Sequence, residues 1–149
     1  MCSASRPTLI AMCHGLANEL FAEIAPQRGE LNMAGKVNYI FTVSMDVDAD
    51  KEALLNDVYD NEHIPLILKV PGVVSAKRYK VSPLTMILGG ERKTIVMEGE
   101  PAYMAVYELE SADVLVSEAW ANAVDAGRWP TQVRPFTRNR RHVLRKMLG

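Results

Sequence analysis

The sequence predicts one α+β domain, in which two helices cover an antiparallel sheet of four strands, and three observations lead to this prediction. The 149 residues have the length of one ordinary domain, and 48% of them are hydrophobic, which is enough for a buried core. Segments with the two-residue period of strands alternate with segments at helical spacing. No apolar run approaches the roughly 20 residues that span a bilayer, so we expect a soluble protein.

Residues 1–35 precede the first strand and are expected to be an N-terminal extension that is helical in part. Apolar side chains recur there at steps of three and four residues, which predicts an amphipathic helix over 8–25. This stretch is a poor signal peptide, because polar residues interrupt its apolar run. The run from Met33 to Lys36 resembles a natural initiator sequence, so 1–32 is either an upstream start or an appended helix, and we place no chemistry there.

The first half of the domain reads as strand, helix and strand. Apolar side chains alternate with more polar ones over 37–45, which predicts a strand with one apolar face. Asp50 is predicted to cap a helix that breaks or kinks just past His63, because Pro65 disfavours helical geometry at the residue before it. Residues with β-branched side chains then favour a second strand over 73–81.

The second half repeats this order after an inserted flap over 82–101, in which a Gly-Gly pair forms the turn of a hairpin. The clearest strand follows over 102–110, with apolar residues on both of its faces. Ser111 is a good N-cap for a helix that reaches about Ala126. After an irregular segment, 138–147 is predicted to be the last strand.

The order strand, helix, strand, taken twice over 36–149, is the split βαβ arrangement of a ferredoxin-like α+β sandwich with a four-stranded antiparallel sheet. Its two helices cover only one face of the sheet. The other face offers apolar side chains such as Ile40, Met104 and Val106, and a second copy of the chain would cover them. We therefore expect a homodimer with the two sheets face to face.

Three runs of the sequence also resemble a known family: YDNEHIP (59–65), VPGVVSAKRY (70–79) and YMAVYELES (103–111). Their combination resembles the EthD-like branch of the dimeric α+β barrel superfamily and covers about residues 36–146. The resemblance implies a dimeric barrel and an activity drawn from a wide range: cofactor-free isomerases, cyclases, lyases, dehydrating enzymes and quinone-forming monooxygenases, besides haem-dependent members and members with no known activity. Fold resemblance alone does not choose among these. The flap and the N-terminal extension depart from the family's pattern.

His63 is the strongest candidate for chemistry. It stands four residues after Tyr59 and eight after Leu55, so helical spacing places it on the apolar face that looks toward the sheet. An imidazole with an ordinary pKa near 6.5 can act as a base or an acid around neutrality. Tyr59, one turn earlier, is placed to orient a substrate hydroxyl or the imidazole. The competing interpretation of both residues is core packing.

Further residues are candidates to bind a flat, hydrophobic and oxygenated molecule of aromatic or polyketide-like type. They are Tyr39, Phe41, Arg78, Tyr103, Tyr107, Trp120 and Trp129. Tyr107 is expected to orient or polarise a substrate oxygen together with Tyr59. Core packing explains the aromatic members equally well, and a solvated or interfacial charge explains Arg78.

Composition and missing motifs disfavour several classes of function. The formal net charge of −1 gives no reason to expect nucleic acid or an anionic membrane as a partner. Seven basic side chains among the last 22 residues have no aromatic platform, so we interpret them as salt links within the dimer. Nucleotide-binding and metalloprotease motifs are missing and the three histidines form no ligand cluster, so we expect neither metal nor cofactor. Cys2 and Cys13 form no disulfide framework, which fits a reducing cytoplasm.

Three hypotheses of function follow from these residues. In the first, the protein is a cofactor-independent isomerase, cyclase or lyase in which His63 transfers a proton. In the second, it is a noncatalytic dimer that binds a small ligand or is associated with stress. The third and least favoured is haem binding through His63.

Overall fold

The computed structural model describes residues 35–148, and the helix predicted in the N-terminal extension lies outside them. Six strands occur between these limits: β1 (Tyr39–Val47), β2 (Val73–Lys80), β3 (Leu84–Leu88), β4 (Glu91–Ile95), β5 (Tyr103–Leu109) and β6 (Thr137–Lys146). Four of them form an antiparallel sheet in the order β2-β5-β1-β6, and β3 and β4 pair with each other. This arrangement confirms the predicted α+β class and its four-stranded antiparallel sheet.

One face of the sheet packs against the helices. Phe41 and Val43 of β1 lie on that face, in register with Tyr107 and Ala105 of β5. Because successive side chains of a strand point to opposite faces, Ile40 belongs to the other face, as predicted. The core and the candidate site both lie on the helix-covered face.

The first helical layer is continuous but changes its winding along its length. It consists of α1 (Glu52–Val58), a π-helical turn (Tyr59–His63) and α2 (Ile64–Ile67). In the π-helical turn the N–H of Ile64 donates to the carbonyl of Tyr59, five residues earlier. Of the predicted break or kink past His63, the break does not occur, because the helix continues into α2. Pro65 lies in the first turn of α2, where a missing N–H and a fixed φ are tolerated.

The predicted N-cap of this layer is also displaced. Asp50 lies inside a 3₁₀ turn (Ala49–Lys51) that precedes α1, and Asp48 holds the cap position with extended backbone. The Asp48 side chain makes no capping hydrogen bond, and α1 itself begins after Lys51.

The second helical layer is interrupted, although a single helix from Ser111 to Ala126 was the expectation. Ser111 caps only a 3₁₀ turn (Ala112–Val116), and Ser117 then adopts an extended backbone. The Ser117 hydroxyl accepts from the N–H of Trp120 at 3.1 Å and so begins α3 (Glu118–Val124). A serine inside a helical pattern offers the backbone this alternative hydrogen bond, which is why the helix starts again here.

The segment predicted to be irregular after α3 is also helical. It consists of a π-helical turn (Trp129–Val133) followed by a 3₁₀ turn (Arg134–Phe136). Both turns carry a proline near their beginning, which helical geometry tolerates there. This second π-helical turn brings Trp129 and Val133 into the core, where they are 5% and 0% exposed.

The predicted flap is a hairpin of β3 and β4 joined by Gly89 and Gly90. The φ angles of these glycines are 60° and 82°, which a two-residue hairpin turn requires and which L side chains rarely adopt. Apart from Ile95, every residue of the two strands is exposed. The hairpin therefore adds little to the core of the chain described.

Four of the seven basic residues near the C-terminus, Arg128, Arg134, Arg138 and Arg141, form ion pairs within the described part of the chain. Arg128 pairs with Asp57 and Glu62, and Arg138 pairs with Asp48. These salt links therefore need no second subunit. Between residues 35 and 148, no helix combines the length and hydropathy needed to cross a bilayer.

Candidate functional site

A cavity of about 380 Å³ lies between the helix-covered face of the sheet and the helical segments. This volume is in the range of sites that bind small organic molecules. The residues that line it are Phe41, Val43, Met45, Tyr59, His63, Tyr107, Trp120, Val124, Trp129, Arg134, Arg140 and His142. The cavity therefore draws on three strands, on α3 and on both π-helical turns.

His63 is buried beside the cavity, with only 4% of its surface exposed. Its ring centroid lies 4.9 Å from the ring of Tyr59 and 5.2 Å from that of Trp129. Within the described part of the chain, its Nδ1 is a buried polar atom with no hydrogen-bond partner. Buried polar groups are nearly always satisfied, so an unsatisfied nitrogen beside a cavity is a feature of binding or catalytic sites.

The surroundings of His63 decide its protonation state. Burial lowers its pKa from 6.5 to about 4, and the positive charge of Arg134 acts in the same direction. The imidazole is therefore neutral at physiological pH and can accept a proton or a hydrogen bond. An ordinary histidine can act as an acid near neutral pH, but His63 of the free protein cannot, because it carries no proton to donate.

Two buried tyrosines stand beside this imidazole. Burial raises the pKa of Tyr59 to about 12 and that of Tyr107 well above its usual value. The positive charge of Arg78 and, to a smaller extent, the neighbouring Tyr107 hydroxyl oppose the rise in the pKa of Tyr59. Both phenols therefore stay protonated and can act as hydrogen-bond donors.

Aromatic rings from the sheet and from α3 form much of the cavity wall. Phe41 stacks on Tyr107 with centroids 5.9 Å apart, and on His142 at 6.2 Å. The edge of Trp120 meets Tyr107 at 5.6 Å. Rings in stacked and edge-on arrangements are well suited to hold a flat apolar molecule.

An ion-pair network holds the two π-helical turns together. The Glu62 carboxylate accepts from the backbone N–H of Arg128 at 2.9 Å and from the Arg128 side chain. Asp57 accepts from the same guanidinium at 2.6 Å. Gly127 is required at this crossing, because its φ is +69° and a Cβ would lie 2.8 Å from Glu62 Oε2. This network fixes His63 against Trp129.

The cavity brings together six of the nine site residues predicted from the sequence. They are Phe41, Tyr59, His63, Tyr107, Trp120 and Trp129. Tyr39 is partly buried and packs against the core outside the cavity. Arg78 and Tyr103 lie on the far side of Tyr59, at the sheet edge formed by β2.

The polar groups at that sheet edge satisfy one another, and we name them the β2-edge cluster. Its members are Glu52, Asn56, Asp60, Arg78, Lys80 and Tyr103. Arg78 binds Asp60 and Asn56 at 2.7 Å each, and its guanidinium lies 4.7 Å from the centre of the Tyr59 ring. Lys80 pairs with Glu52 at 2.6 Å. Arg78 therefore supports Tyr59 from behind and does not line the cavity.

Six residues of the cavity were not predicted as site residues, and the three polar ones among them are Arg134, Arg140 and His142. The basic residues of the last segment were interpreted together as salt links, which hid the difference between them. Two-residue alternation along β6 places Arg140 and His142 on the same face, and His142 is in register with Val43. Alternation separates Arg140 from Arg141 and Arg145, but it does not separate it from Arg138, and Arg134 lies before β6.

The described residues contain no group of three or more His, Cys, Asp or Glu side chains placed to hold a metal ion. No family model matches the chain, and no curated protein matches it. The chain is similar to the solved structure of an ethyl tert-butyl ether D (EthD) family protein from Bacillus halodurans C-125. The two are 11% identical with a TM-score of 0.47, over 74% of this chain and 99% of that chain.

Proposed function

We propose that the protein is a small cofactor-independent enzyme that moves a proton within a hydrophobic, oxygenated molecule bound in the cavity. The observation that carries the proposal is His63, a buried neutral imidazole whose Nδ1 has no partner among the described residues. The aromatic wall supports a flat substrate of aromatic or polyketide-like type. The resemblance to EthD-like proteins is compatible with such chemistry and does not select it.

In the proposed reaction, His63 accepts a proton from a carbon next to a carbonyl group. The electron pair of the broken C–H bond moves to the carbonyl oxygen, which becomes an enolate, and His63 becomes an imidazolium. Tyr59 donates a hydrogen bond to this oxygen, and Tyr107, which lines the same cavity, is the second phenol that can orient the substrate.

The low pKa of His63 favours return of the proton over its release. An imidazolium whose pKa is about 4 in the free protein is a strong acid in a buried site, so it delivers the proton to another atom of the same molecule. Transfer from one carbon to another gives an isomer, and transfer to an oxygen precedes cyclisation or loss of water. The site therefore supports isomerase, cyclase or lyase chemistry.

Exchange of carbon-bound hydrogen tests the role of His63 before the natural substrate is known. In heavy water, NMR follows the replacement of hydrogen by deuterium in anthrone, a flat ketone with an acidic C–H bond. We expect the full chain to accelerate this exchange and His63→Gln to lower the acceleration by about a hundredfold or more. Tyr59→Phe should lower it by about a hundredfold as well, because an oxyanion donor is lost.

Asn61→Ala is the matched control for this experiment. Asn61 lies in the same π-helical turn, is exposed, and bonds only to the Asp57 side chain among the described residues. Its substitution should leave the exchange rate unchanged. No acceleration by the wild type, or equal acceleration by His63→Gln, would contradict the proposal.

A noncatalytic ligand-binding protein is the second candidate, and the low pKa of His63 is the observation that favours it. A weakly basic imidazole in an aromatic cavity can accept a hydrogen bond from a ligand without removing a proton. An enzyme should show a bell-shaped dependence of the exchange rate on pH, and a binding protein should bind anthrone without exchange at any pH.

Two further parts of the proposal concern assembly and haem. We expect a homodimer through the open sheet face, on which Ile40, Met104 and Val106 lie, and light scattering on the purified chain measures its mass. A monomer would contradict this expectation.

Haem binding through His63 stays a weaker hypothesis, which a Soret band on haem titration would support. The cytoplasmic location also stays a prediction.

A further inference from the structure

We infer that the molecule bound in the cavity carries an ionised acid group, a carboxylate or an acidic enolate, which Arg134 and Arg140 hold at the cavity mouth while an apolar ring enters the cavity. The inference rests on the proposed function, because it specifies the substrate class of the same site. It was not foreseen from the sequence, which assigned both arginines to salt links.

The charges on the cavity lining carry this inference. Two of its twelve residues are arginines, and none is an aspartate or a glutamate. Arg134 pairs with Asp125 at 2.7 Å, but Asp125 is not part of the lining. Arg140 forms no ion pair with any residue of the part of the chain that the structure describes, 35–148. Asp125 therefore balances the charge of Arg134 from outside the lining, whereas no acidic residue between 35 and 148 pairs with Arg140.

The positions of the two arginines give the ligand an orientation. Arg140 is an exposed residue of β6, whereas His63 is 4% exposed, so the arginine stands at the mouth of the cavity and the imidazole deep inside it. Phe41 and Tyr107 provide apolar surface on the sheet side, and Trp120 of α3 provides it on the helix side. An acid group at the mouth would meet a guanidinium while an attached ring lies against these aromatic side chains.

The two charges act on the reactive groups as well. The positive charge of Arg134 lowers the pKa of His63, and that of Arg140 opposes the rise in the pKa of Tyr59. Their fields therefore reach the interior, where low polarity strengthens them. The same fields would stabilise an enolate that forms near Tyr59, so a negative charge is favoured both in the ligand and in the proposed intermediate.

A matched pair of probes tests the charge of the ligand. Naphthoate and naphthamide have the same flat ring, but only naphthoate is charged at neutral pH. We expect calorimetry on the full chain to show naphthoate binding about tenfold or more tightly than naphthamide, with only the naphthoate affinity falling as salt is added. Arg140→Gln should remove most of this difference, and Arg140→Lys should retain part of it.

Arg138→Gln is the control for this test. Arg138 lies on β6 two residues before Arg140, pairs with Asp48 and does not line the cavity. It should leave the preference for naphthoate unchanged. Equal losses in Arg138→Gln and Arg140→Gln would overturn the inference, and so would the lack of any preference for the charged probe both in this pair and in the enol pair that follows.

Hydroxynaphthoquinone, an enol that is ionised at neutral pH, and its neutral methoxy ether repeat the comparison for the enolate source. A preference in the first pair alone identifies a carboxylate ligand, and a preference in the second pair alone identifies an enolate. Failure of this inference differs from failure of the proposed function. His63→Gln should remove the acceleration of deuterium exchange and leave the preference for the charged probe unchanged. Arg140→Gln should mainly reduce the preference for the charged probe.

Discussion

The cavity and the β2-edge cluster contain the same kinds of side chain, yet their polar groups are satisfied to different extents. In the cluster, Arg78 binds two acceptors at 2.7 Å and Lys80 binds a carboxylate at 2.6 Å. In the cavity, Nδ1 of His63 has no partner among the described residues, and no acidic residue belongs to the lining. Tyr59 separates the two regions.

This difference shows why residue type alone does not identify a site. Tyr59 and Tyr107 of the cavity, and Arg78 and Tyr103 of the cluster, were all predicted from the sequence as site residues. Where acids already neutralise the cations, the cluster supports the fold and offers little to a ligand. Where polar groups remain unsatisfied beside an aromatic wall, binding a ligand can satisfy them.

The largest expected effect is the loss of Trp129, which closes the cavity over His63. Trp129 is 5% exposed, and its ring centroid lies 5.0 Å from that of Tyr59 and 5.2 Å from that of His63. Trp129→Ala should lower the free energy of unfolding by about 3–5 kcal/mol, measured by urea denaturation. Val116→Ala, at an apolar residue that is 83% exposed, should change it by less than about 0.5 kcal/mol. Equal effects of the two substitutions would show that the cavity wall is not part of the core.

The second largest effect is a loss of stability in acid that comes from His63. The unfolded chain takes up a proton near pH 6.5, and the folded chain takes it up only near pH 4. As pH falls through this window, the proton favours the unfolded state. The unfolding free energy should therefore decrease by up to about 1.4 kcal/mol per pH unit, roughly 3 kcal/mol in all, and remain reduced at lower pH.

His63→Gln isolates this contribution from the other groups that titrate in acid. The pKa values of Asp46, Asp57 and Glu62 are also lowered, because each carboxylate accepts hydrogen bonds. The stability that these carboxylates contribute is lost below pH 4 in both proteins alike. The difference in unfolding free energy between wild type and variant should therefore change between pH 6.5 and 4. A difference that is independent of pH would mean that the imidazole is not desolvated.

Most of the fold could be predicted from the sequence, because its strands follow regular alternation. The strands of the sheet, the hairpin turn at the glycine pair and the inward position of His63 all follow from local periodicity. The winding of the helices could not be predicted in this way. Pro65 was expected to break or kink the first helix, but the helix continues through a π-helical turn into α2. The second helix was expected to be continuous, but it begins again at Ser117, whose hydroxyl caps α3.

The site could be predicted only in part, because its charges depend on distant contacts. The aromatic members come from regular strands and helices, where periodicity identifies the face. Arg134 and Arg140 resemble the other C-terminal arginines in the sequence. Only the positions of the acids in the fold determine that Arg138 pairs with Asp48 and Arg134 with Asp125, whereas Arg140 has no ion pair among the described residues. A linear pattern does not contain that information.

A smaller effect is expected at the junction of the two π-helical turns. Gly127→Ala places a Cβ at φ +69° and 2.8 Å from Glu62 Oε2, so it should lower the free energy of unfolding by about 1–2 kcal/mol and disturb His63. Gly90→Ala, at φ +82° with no atom within 4 Å of the added Cβ, applies similar backbone strain in the exposed flap. Only Gly127→Ala should slow deuterium exchange, and an equal rate in both variants would contradict the role of the junction.

The smallest expected effect lies in the β2-edge cluster, at Tyr103. Its hydroxyl group is near Lys80 and Glu52, outside the cavity, so Tyr103→Phe removes a polar contact that a ligand does not share. Naphthoate affinity and the rate of anthrone exchange should both stay unchanged, whereas Tyr59→Phe removes the same atom type from the cavity and should slow exchange. The two substitutions remove the same hydroxyl group from neighbouring residues. The contrast therefore depends only on whether that hydroxyl belongs to the cavity or to the β2-edge cluster. If Tyr103→Phe slowed exchange as much as Tyr59→Phe, the division between a binding region and a supporting region would be wrong.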